Sequence, residues 1–224
     1  MTTLVHYHHP KDQQYSLAYV TQDRDEITSS GKDALIERYD LDEAVFILYT
    51  NQGTSGTIDD IDENFEDALD EMSPDDRTIT VRLLQIFEEI IEEKELEEAE
   101  KLEIYKQIEL DRVPDAIERV DWDQPAVDVA GQLLSTLILT HALPNANHRT
   151  SISMAQWYLE SIETGFSLPD FATADYDWKE WVNEYIVESK RILTVRRNTR
   201  PFSLLAEWGC DVVKRKNDIE IVLA

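Results

Sequence analysis

The sequence predicts a mainly α fold, namely a helical bundle with one small β element. Three observations predict it: two apolar stripes at helical spacing, a long apolar segment past the middle of the chain, and a short hairpin pattern at the C-terminus. The chain has 224 residues, of which 42% are hydrophobic, so it is long enough for one packed domain with a small appendage.

Two helices are predicted between residues 57 and 103. The first follows Thr57 as its N-cap, and the second begins at Ser73-Pro74, where a capping residue precedes a first-turn proline. Glutamates dominate residues 88–103, which predicts a solvated helix face and not a metal site. The apolar positions of the two stripes are Ile58, Ile61, Phe65, Leu69 and Met72, then Ile79, Leu83, Ile86, Phe87, Ile90 and Ile91.

The most apolar segment, residues 126–139, predicts a helix that is buried on all sides in the centre of the bundle. It ends before Pro144, which prevents simple continuation of the helix. A second amphipathic helix is predicted over about residues 147–165, and another begins at about residue 177.

The two ends of the chain are less regular. Residues 15–20 fit either a strand or part of a helix, while residues 211–215 and 219–223 predict a C-terminal hairpin. The Gly- and Ser-rich segment 50–57 is a candidate boundary.

These patterns divide the chain into three parts. Residues 1–56 form an N-terminal segment of uncertain structure, residues 57–200 form the helical core, and residues 201–224 form a C-terminal helix or hairpin appendage. The sequence motif described below lies within residues 123–195 of the core.

The charge is strongly acidic, with 47 Asp and Glu against 21 Lys and Arg and a net charge of −26. The composition resembles that of proteins from salt-accumulating archaea, in which salt screens such repulsion. Nucleic-acid binding needs a basic surface, so the composition disfavours it outside the short stretch Arg196, Arg197 and Arg200. We expect a cytoplasmic protein, because no apolar run is long enough to span a bilayer and the N-terminus does not read as a signal peptide.

The segment 141–150, HALPNANHRT, stands apart from the rest of the chain. It is predicted to be a turn between two helices, and the free N–H groups at a helix N-terminus attract anions. The small Ala146 allows a ligand to approach the backbone, Asn147 both donates and accepts hydrogen bonds, and Arg149 binds phosphate oxygens in a bidentate manner. His141, with a reference pKa of about 6.5, is suited to take a proton from an attacking hydroxyl.

This segment resembles the signature loop of the Fic/Doc family, His-x-Phe-x-[Asp/Glu]-[Gly/Ala]-Asn-[Gly/Lys]-Arg. The Ala-Asn pair and the following Thr150 are more similar to the Doc, or death-on-curing, branch than to the adenylylating branch. The matching positions are His141, Leu143 for the aromatic residue, Asn145 for the acid, Ala146, Asn147, His148 for the Gly or Lys, and Arg149.

The resemblance implies a transferase that moves a phosphate or AMP from ATP or another nucleotide to a Ser, Thr or Tyr hydroxyl of a protein. It implies that His141 is the general base and that residues 146–149 (Ala146, Asn147, His148 and Arg149) hold the nucleotide phosphates. A toxin–antitoxin role is also implied, with an antitoxin-like inhibitor as a partner.

Asn145 departs from the family pattern, because a neutral amide replaces the acid that holds Mg²⁺ and Mg²⁺ prefers a carboxylate. Three alternatives therefore stay open: a transferase, a Fic-like module that binds a nucleotide or a partner protein without turnover, and an unrelated helical protein. The cluster of His6, His8 and His9 is interpreted as part of a strand and not as a metal site.

Overall fold

The computed structural model describes residues 3–27, 34–51, 56–57, 65–98, 101–162, 165, 178–216 and 219–223. The chain divides into two compact units. The terminal unit consists of residues 1–53 and 180–224, and the central unit consists of residues 54–179. The first and last segments of the chain therefore contribute to one unit.

The described part of the central unit is mostly helical. Its helices are α1 (Glu66–Asp70), α2 (Pro74–Glu98), α3 (Val113–Glu118), α4 (Ala126–Thr140) and α5 (Asn147–Ser161). Two short strands, β6 (Gly56–Thr57) and β7 (Glu103–Ile104), pair in an antiparallel manner. None of the described helices is both long and apolar enough to cross a membrane.

In the residues that the structure describes, the terminal unit contains two sheets and two α-helices. A four-stranded sheet has the order β2-β3-β5-β4, and a three-stranded sheet has the order β1-β8-β9. The strands are β1 (Thr3–His6), β2 (His8–His9), β3 (Asp12–Thr21), β4 (Ala34–Tyr39), β5 (Val45–Asn51), β8 (Cys210–Lys216) and β9 (Ile219–Val222), and the helices are α6 (Trp178–Arg197) and α7 (Thr199–Glu207).

The prediction of a mainly α bundle with one small β element is wrong, because the terminal unit is a mixed α/β structure. The strand β5 explains the error. Its apolar run alternates between fully buried Val45, Ile47 and Tyr49 and the half-buried Phe46 and Leu48, so both faces are apolar and the alternation is hidden in the sequence. The choice between strand and helix for residues 15–20 is also decided: these residues lie in the strand β3.

Several individual elements agree with the sequence. The C-terminal hairpin is confirmed, because β8 pairs with β9 in an antiparallel manner. The start of α2 is confirmed too, because the Asp76 N–H donates to the Ser73 hydroxyl at 3.2 Å. Of the helix predicted after Thr57, residues 58–64 lie outside the described residues.

The helix α4 was predicted to be buried on all sides, and this is wrong. Val129, Leu133 and Leu137 are buried against α2, α3 and α5, whereas Val127 is 56% exposed. The helix therefore packs through one face and leaves the other to solvent. The buried core of the central unit includes Leu83, Ile86, Ile90, Leu110, Val113, Ile117, Val129, Leu133, Leu137 and Met154.

The one-sided burial of α4 is testable. Leu133→Ala removes a side chain that is 1% exposed, so we expect the free energy of unfolding to fall by about 2–5 kcal/mol. The control Val127→Ala changes an exposed apolar residue of the same helix and should alter stability by no more than about 0.5 kcal/mol. Chemical denaturation followed by circular dichroism measures both, and equal losses would contradict the orientation of α4.

Candidate functional site

The loop between α4 and α5 begins and ends in an uncommon backbone conformation. His141 follows α4 with φ 54°, and Ala146 precedes α5 with φ 52°, so both lie in the left-handed region. For residues other than glycine this conformation costs about 1–2 kcal/mol each. Contacts made by the surrounding residues must therefore hold the loop in place.

Asn147 supplies the central contact of this loop. Its side chain is buried, its Oδ1 accepts from the Leu143 N–H at 3.0 Å, and its Nδ2 donates to the Leu143 carbonyl at 2.8 Å. Nδ2 also lies 3.3 Å from the Asn145 carbonyl. The amide thus pairs with both backbone groups of Leu143 as a neighbouring strand would. Its oxygen and its nitrogen both form hydrogen bonds within the loop.

Asn145 ties the loop to the neighbouring segment. Its Nδ2 donates to the Glu103 carbonyl in β7 at 2.8 Å, and its Oδ1 accepts from the Ala146 N–H at 2.7 Å. Two backbone bonds run beside this contact, from Tyr105 N–H to the Pro144 carbonyl and from Glu109 N–H to the Ala142 carbonyl. Residues 103–109 therefore form one wall of the loop.

Leu143 attaches the loop to the hydrophobic core. It is 2% exposed and packs with the buried Phe87 and Leu102. Leu143 therefore holds the middle of the loop against the hydrophobic core.

The N-terminus of α5 carries no side-chain cap and has no acid in its first turn. The first N–H groups of a helix have no partner within that helix, and the helix dipole places partial positive charge there. Arg149 lies in this turn with an exposed side chain, while His148 beside it is half-buried. Such an arrangement favours an anion.

His141 and the phosphate-binding candidates lie at opposite ends of the same short loop. His141 is half-buried, and its backbone N–H bonds to the Leu137 carbonyl at 3.0 Å, which completes the end of α4. Ala146, Asn147, His148 and Arg149 lie at the start of α5. Of these four, Ala146 and Asn147 have structural roles in the loop, while Arg149 is exposed.

A charged cluster beside the loop was not found from the sequence. Glu109 accepts from Lys106 Nζ and, at 3.0 Å, from Arg112 Nη1. Burial acts to raise the pKa of Glu109, but the hydrogen bonds and charges of Lys106 and Arg112 lower it below its ordinary value. Two cations therefore share one carboxylate at the wall of the loop, and the i, i+3 spacing on both sides of Glu109 was the available signal.

The loop does not fit the Mg²⁺ that the Fic/Doc resemblance implies. The Asn145 oxygen already accepts a backbone N–H, and Asn145 brings no carboxylate. Within the described ranges, no three His, Cys, Asp or Glu side chains are grouped so that they could hold a metal ion.

His8 and His9 of the N-terminal histidine cluster make hydrogen bonds within the four-stranded sheet. His8 Nδ1 bonds to the Ser16 hydroxyl at 3.0 Å. His9 Nδ1 accepts from the Lys11 N–H at 3.3 Å, and its Nε2 lies 3.0 Å from Glu37 Oε1. These contacts fix the turn between β2 and β3.

Comparison with known proteins places the chain in one family. The chain belongs to DUF8172, a family of unknown function, which it matches over residues 1–224. No curated protein and no solved structure matches the chain. The Fic/Doc resemblance of the loop stays a prediction.

The amide contact of Asn147 leads to a pH-dependent prediction. Asn147→Ala leaves two buried backbone groups of Leu143 unpaired, each at a cost of about 1–3 kcal/mol, so we expect a loss of about 2–6 kcal/mol in stability. Asn147→Asp instead places a carboxylate against the Leu143 carbonyl, which raises the pKa of the new acid in the folded state. Its destabilisation relative to the wild type should therefore be largest at pH 7 and shrink as the pH falls towards 5.

Unfolding by urea at several pH values, with the wild type measured alongside, tests this sign. A destabilisation by Asn147→Asp that grows at lower pH would contradict the contact between Asn147 and Leu143. Ser135→Asp, at an exposed position of α4, controls for the added charge.

Proposed function

We propose that the loop of residues 141–149 is a Fic/Doc-like nucleotide site, which transfers a phosphate or AMP from ATP or another nucleotide to a Ser, Thr or Tyr hydroxyl of a protein. The observation that carries the proposal is the uncapped N-terminus of α5, held by a clamped loop, with the exposed Arg149 in its first turn. This arrangement offers N–H donors and a guanidinium to phosphate oxygens.

His141 is the proposed general base. A neutral imidazole accepts the proton of a target hydroxyl as the hydroxyl oxygen bonds to phosphorus. The bond from phosphorus to the leaving group breaks in the same step, which releases ADP when the γ-phosphate is transferred and pyrophosphate when AMP is transferred. His141 and α5 are joined by a loop of five residues that is bonded to its own side chains and to residues 103–109. This support favours a base held at a fixed place relative to the phosphates.

Asn147 has a positioning role in this proposal. Its oxygen and nitrogen both bond to the loop backbone, so it supports the conformation that presents the N–H groups of α5. Arg149 and, with its half-buried ring, His148 remain the side chains at the start of α5 that are suited to meet phosphate oxygens.

A second candidate function is a Fic-like module that binds a nucleotide or a partner protein without turnover. The hydrogen bond from Asn145 Nδ2 to the Glu103 carbonyl favours it, because Asn145 acts there as a structural tether in place of an acid. Either function is proposed to operate in the cytoplasm, and a toxin role would add an antitoxin-like inhibitor as partner.

The charge of the central unit sets the conditions for any nucleotide. This unit has 9 Lys and Arg against 31 Asp and Glu, a net charge of −22 out of the −26 of the chain. At low ionic strength this field repels ATP, while at 1 M salt the Debye length falls to about 3 Å and contacts near Arg149 dominate. We therefore expect the affinity for ATP to increase as salt is added.

The first test separates phosphate binding from catalysis. Arg149→Ala should weaken the binding of ATP about tenfold or more, measured by calorimetry in 1 M KCl, because a hydrogen-bonded charge contributes about 1.5–3 kcal/mol. The control Arg119→Ala removes an exposed arginine elsewhere in the central unit and should leave the affinity unchanged. Equal affinity in the wild type and in Arg149→Ala would remove the phosphate site from the proposal.

Transfer is tested with ATP labelled at the γ- or the α-phosphate and a protein lysate. His141→Ala should abolish labelling of protein while ATP still binds, since the base acts on the hydroxyl and not on the nucleotide. The position of the label that is transferred distinguishes phosphorylation from AMP transfer. Binding of ATP without any labelling by the wild type would favour the module.

Asn145→Asp distinguishes the two candidate functions by sign. In a transferase it restores the acid of the family signature, so labelling should increase over that of Asn145→Ala, which loses the same bond to Glu103 without adding charge. In a module it only adds a negative charge beside an anion site, so the affinity for ATP should fall below that of Asn145→Ala. Labelling and calorimetry with Mg²⁺ and ATP give both readouts, and identical behaviour of the two variants would contradict both functions.

A further inference from the structure

The positive charges of the chain are concentrated near its C-terminus. Residues 190–216 contain 8 Lys and Arg against 2 Asp and Glu, a net charge of +6 in a chain whose net charge is −26. The terminal unit as a whole, with 12 Lys and Arg against 16 Asp and Glu, is therefore close to neutral at −4. A basic stretch in so acidic a chain calls for an explanation.

The structure gathers four of these cations around the junction of α6 and α7, and we call Arg196, Arg197, Arg200 and Lys214 the arginine patch. Arg196, Arg197 and Arg200 are exposed, and they lie within five consecutive residues. Lys214 Nζ donates to the Thr194 hydroxyl at 3.1 Å, which places β8 beside the last turns of α6.

Tyr7 links Lys214 to the arginines. Lys214 Nζ lies 5.1 Å from the centroid of the Tyr7 ring. Burial raises the pKa of the Tyr7 hydroxyl, while a hydrogen bond from Asn198 and the nearby charge of Arg197 oppose the rise. Arg197 and Lys214 therefore both lie near the buried ring of Tyr7.

Helix electrostatics explain only part of the patch. Arg196 and Arg197 lie in the last turn of α6, where cations stabilise the helix dipole. Arg200 lies in the first turn of α7, where a cation is unfavourable, and this turn has neither an acid nor a side-chain cap. Arg200 therefore opposes the local stability of α7, and an external anion would offset this cost.

The surroundings of the patch decide what kind of anion fits. The Tyr19 hydroxyl bonds to Glu26 at 3.1 Å, and the charges of both Glu26 and Arg200 act on this hydroxyl. Glu188 lies two turns before Arg196 on α6, paired with Arg191 at 2.7 Å. A nucleic acid carries a charge at every phosphate and is repelled wherever it meets such a carboxylate, whereas a protein segment can carry neutral residues there.

We propose that the arginine patch is a docking surface for an acidic segment of a partner protein, whose carboxylates bind Arg196 and Arg200. Guanidinium groups donate to carboxylates in a bidentate manner, so each arginine can hold one carboxylate of the partner. The surface lies in the terminal unit, so the proposal is independent of the nucleotide site in the central unit.

The test measures binding of a fluorescently labelled peptide of twelve glutamates to the full chain by anisotropy. The double variant Arg196→Glu, Arg200→Glu should weaken binding at least tenfold at 0.1 M KCl, and the wild type should bind more weakly in 1 M KCl because salt screens the part of the attraction that acts over longer distances. The control Arg38→Glu, Arg119→Glu makes the same change in net charge at two exposed arginines outside the patch and should alter the affinity less than twofold.

A labelled twelve-base-pair DNA duplex is measured in parallel. Tighter binding of the duplex than of the peptide, lost in Arg196→Glu, Arg200→Glu, would overturn the proposal in favour of nucleic acid. Equal losses in the control and patch variants, or no binding of the peptide to the wild type, would also overturn it. Unchanged circular dichroism of the patch variant establishes that a loss of binding is not a loss of fold.

Discussion

The hydrogen bonds between the Asn147 amide and the backbone of Leu143 are the contact on which the candidate site depends. They close the loop into a compact turn in which two residues other than glycine, His141 and Ala146, keep left-handed backbone angles. Leu143 can then be buried with both of its backbone groups satisfied, which would otherwise cost about 1–3 kcal/mol for each group. The burial of Leu143 in turn fixes the start of α5.

This contact also shows how far the sequence could predict the site. The sequence could predict that His141, Asn147 and Arg149 lie where one helix ends and the next begins. Apolar periodicity locates α4 and α5, and Pro144 locates the break between them. The sequence could not show that the side-chain amides of Asn147 and Asn145 bond to backbone groups. The partner of Asn145, the Glu103 carbonyl, is 42 residues away in the sequence. Residues 103–109 became part of the site only through such long-range contacts.

The fold shows a similar limit. Helices are encoded by local periodicity and were found where that periodicity is strong, as in α2 and α5, whereas the pairing of β1 with β8 joins the two ends of the chain in parallel. No local pattern encodes such a pairing, because it satisfies backbone groups of two segments that are separated by nearly the whole sequence. In β5 the buried and half-buried faces are both apolar, so the period of two is lost.

Ala146 connects this structure to function by a physical argument. Alanine is among the least favourable residues at a helix N-cap, where Ser, Thr, Asp or Asn would bond to a free N–H group. Its left-handed backbone adds a further cost that glycine would avoid. A loop selected for stability alone would place a capping side chain here, and that side chain would fill the position in which an anion meets the first turn of α5. Strain of this kind persists where the surrounding structure enforces it, as the Asn147 and Asn145 contacts do here. The missing cap and the left-handed backbone of Ala146 are therefore the physical grounds on which we propose this loop as the nucleotide site of the central unit.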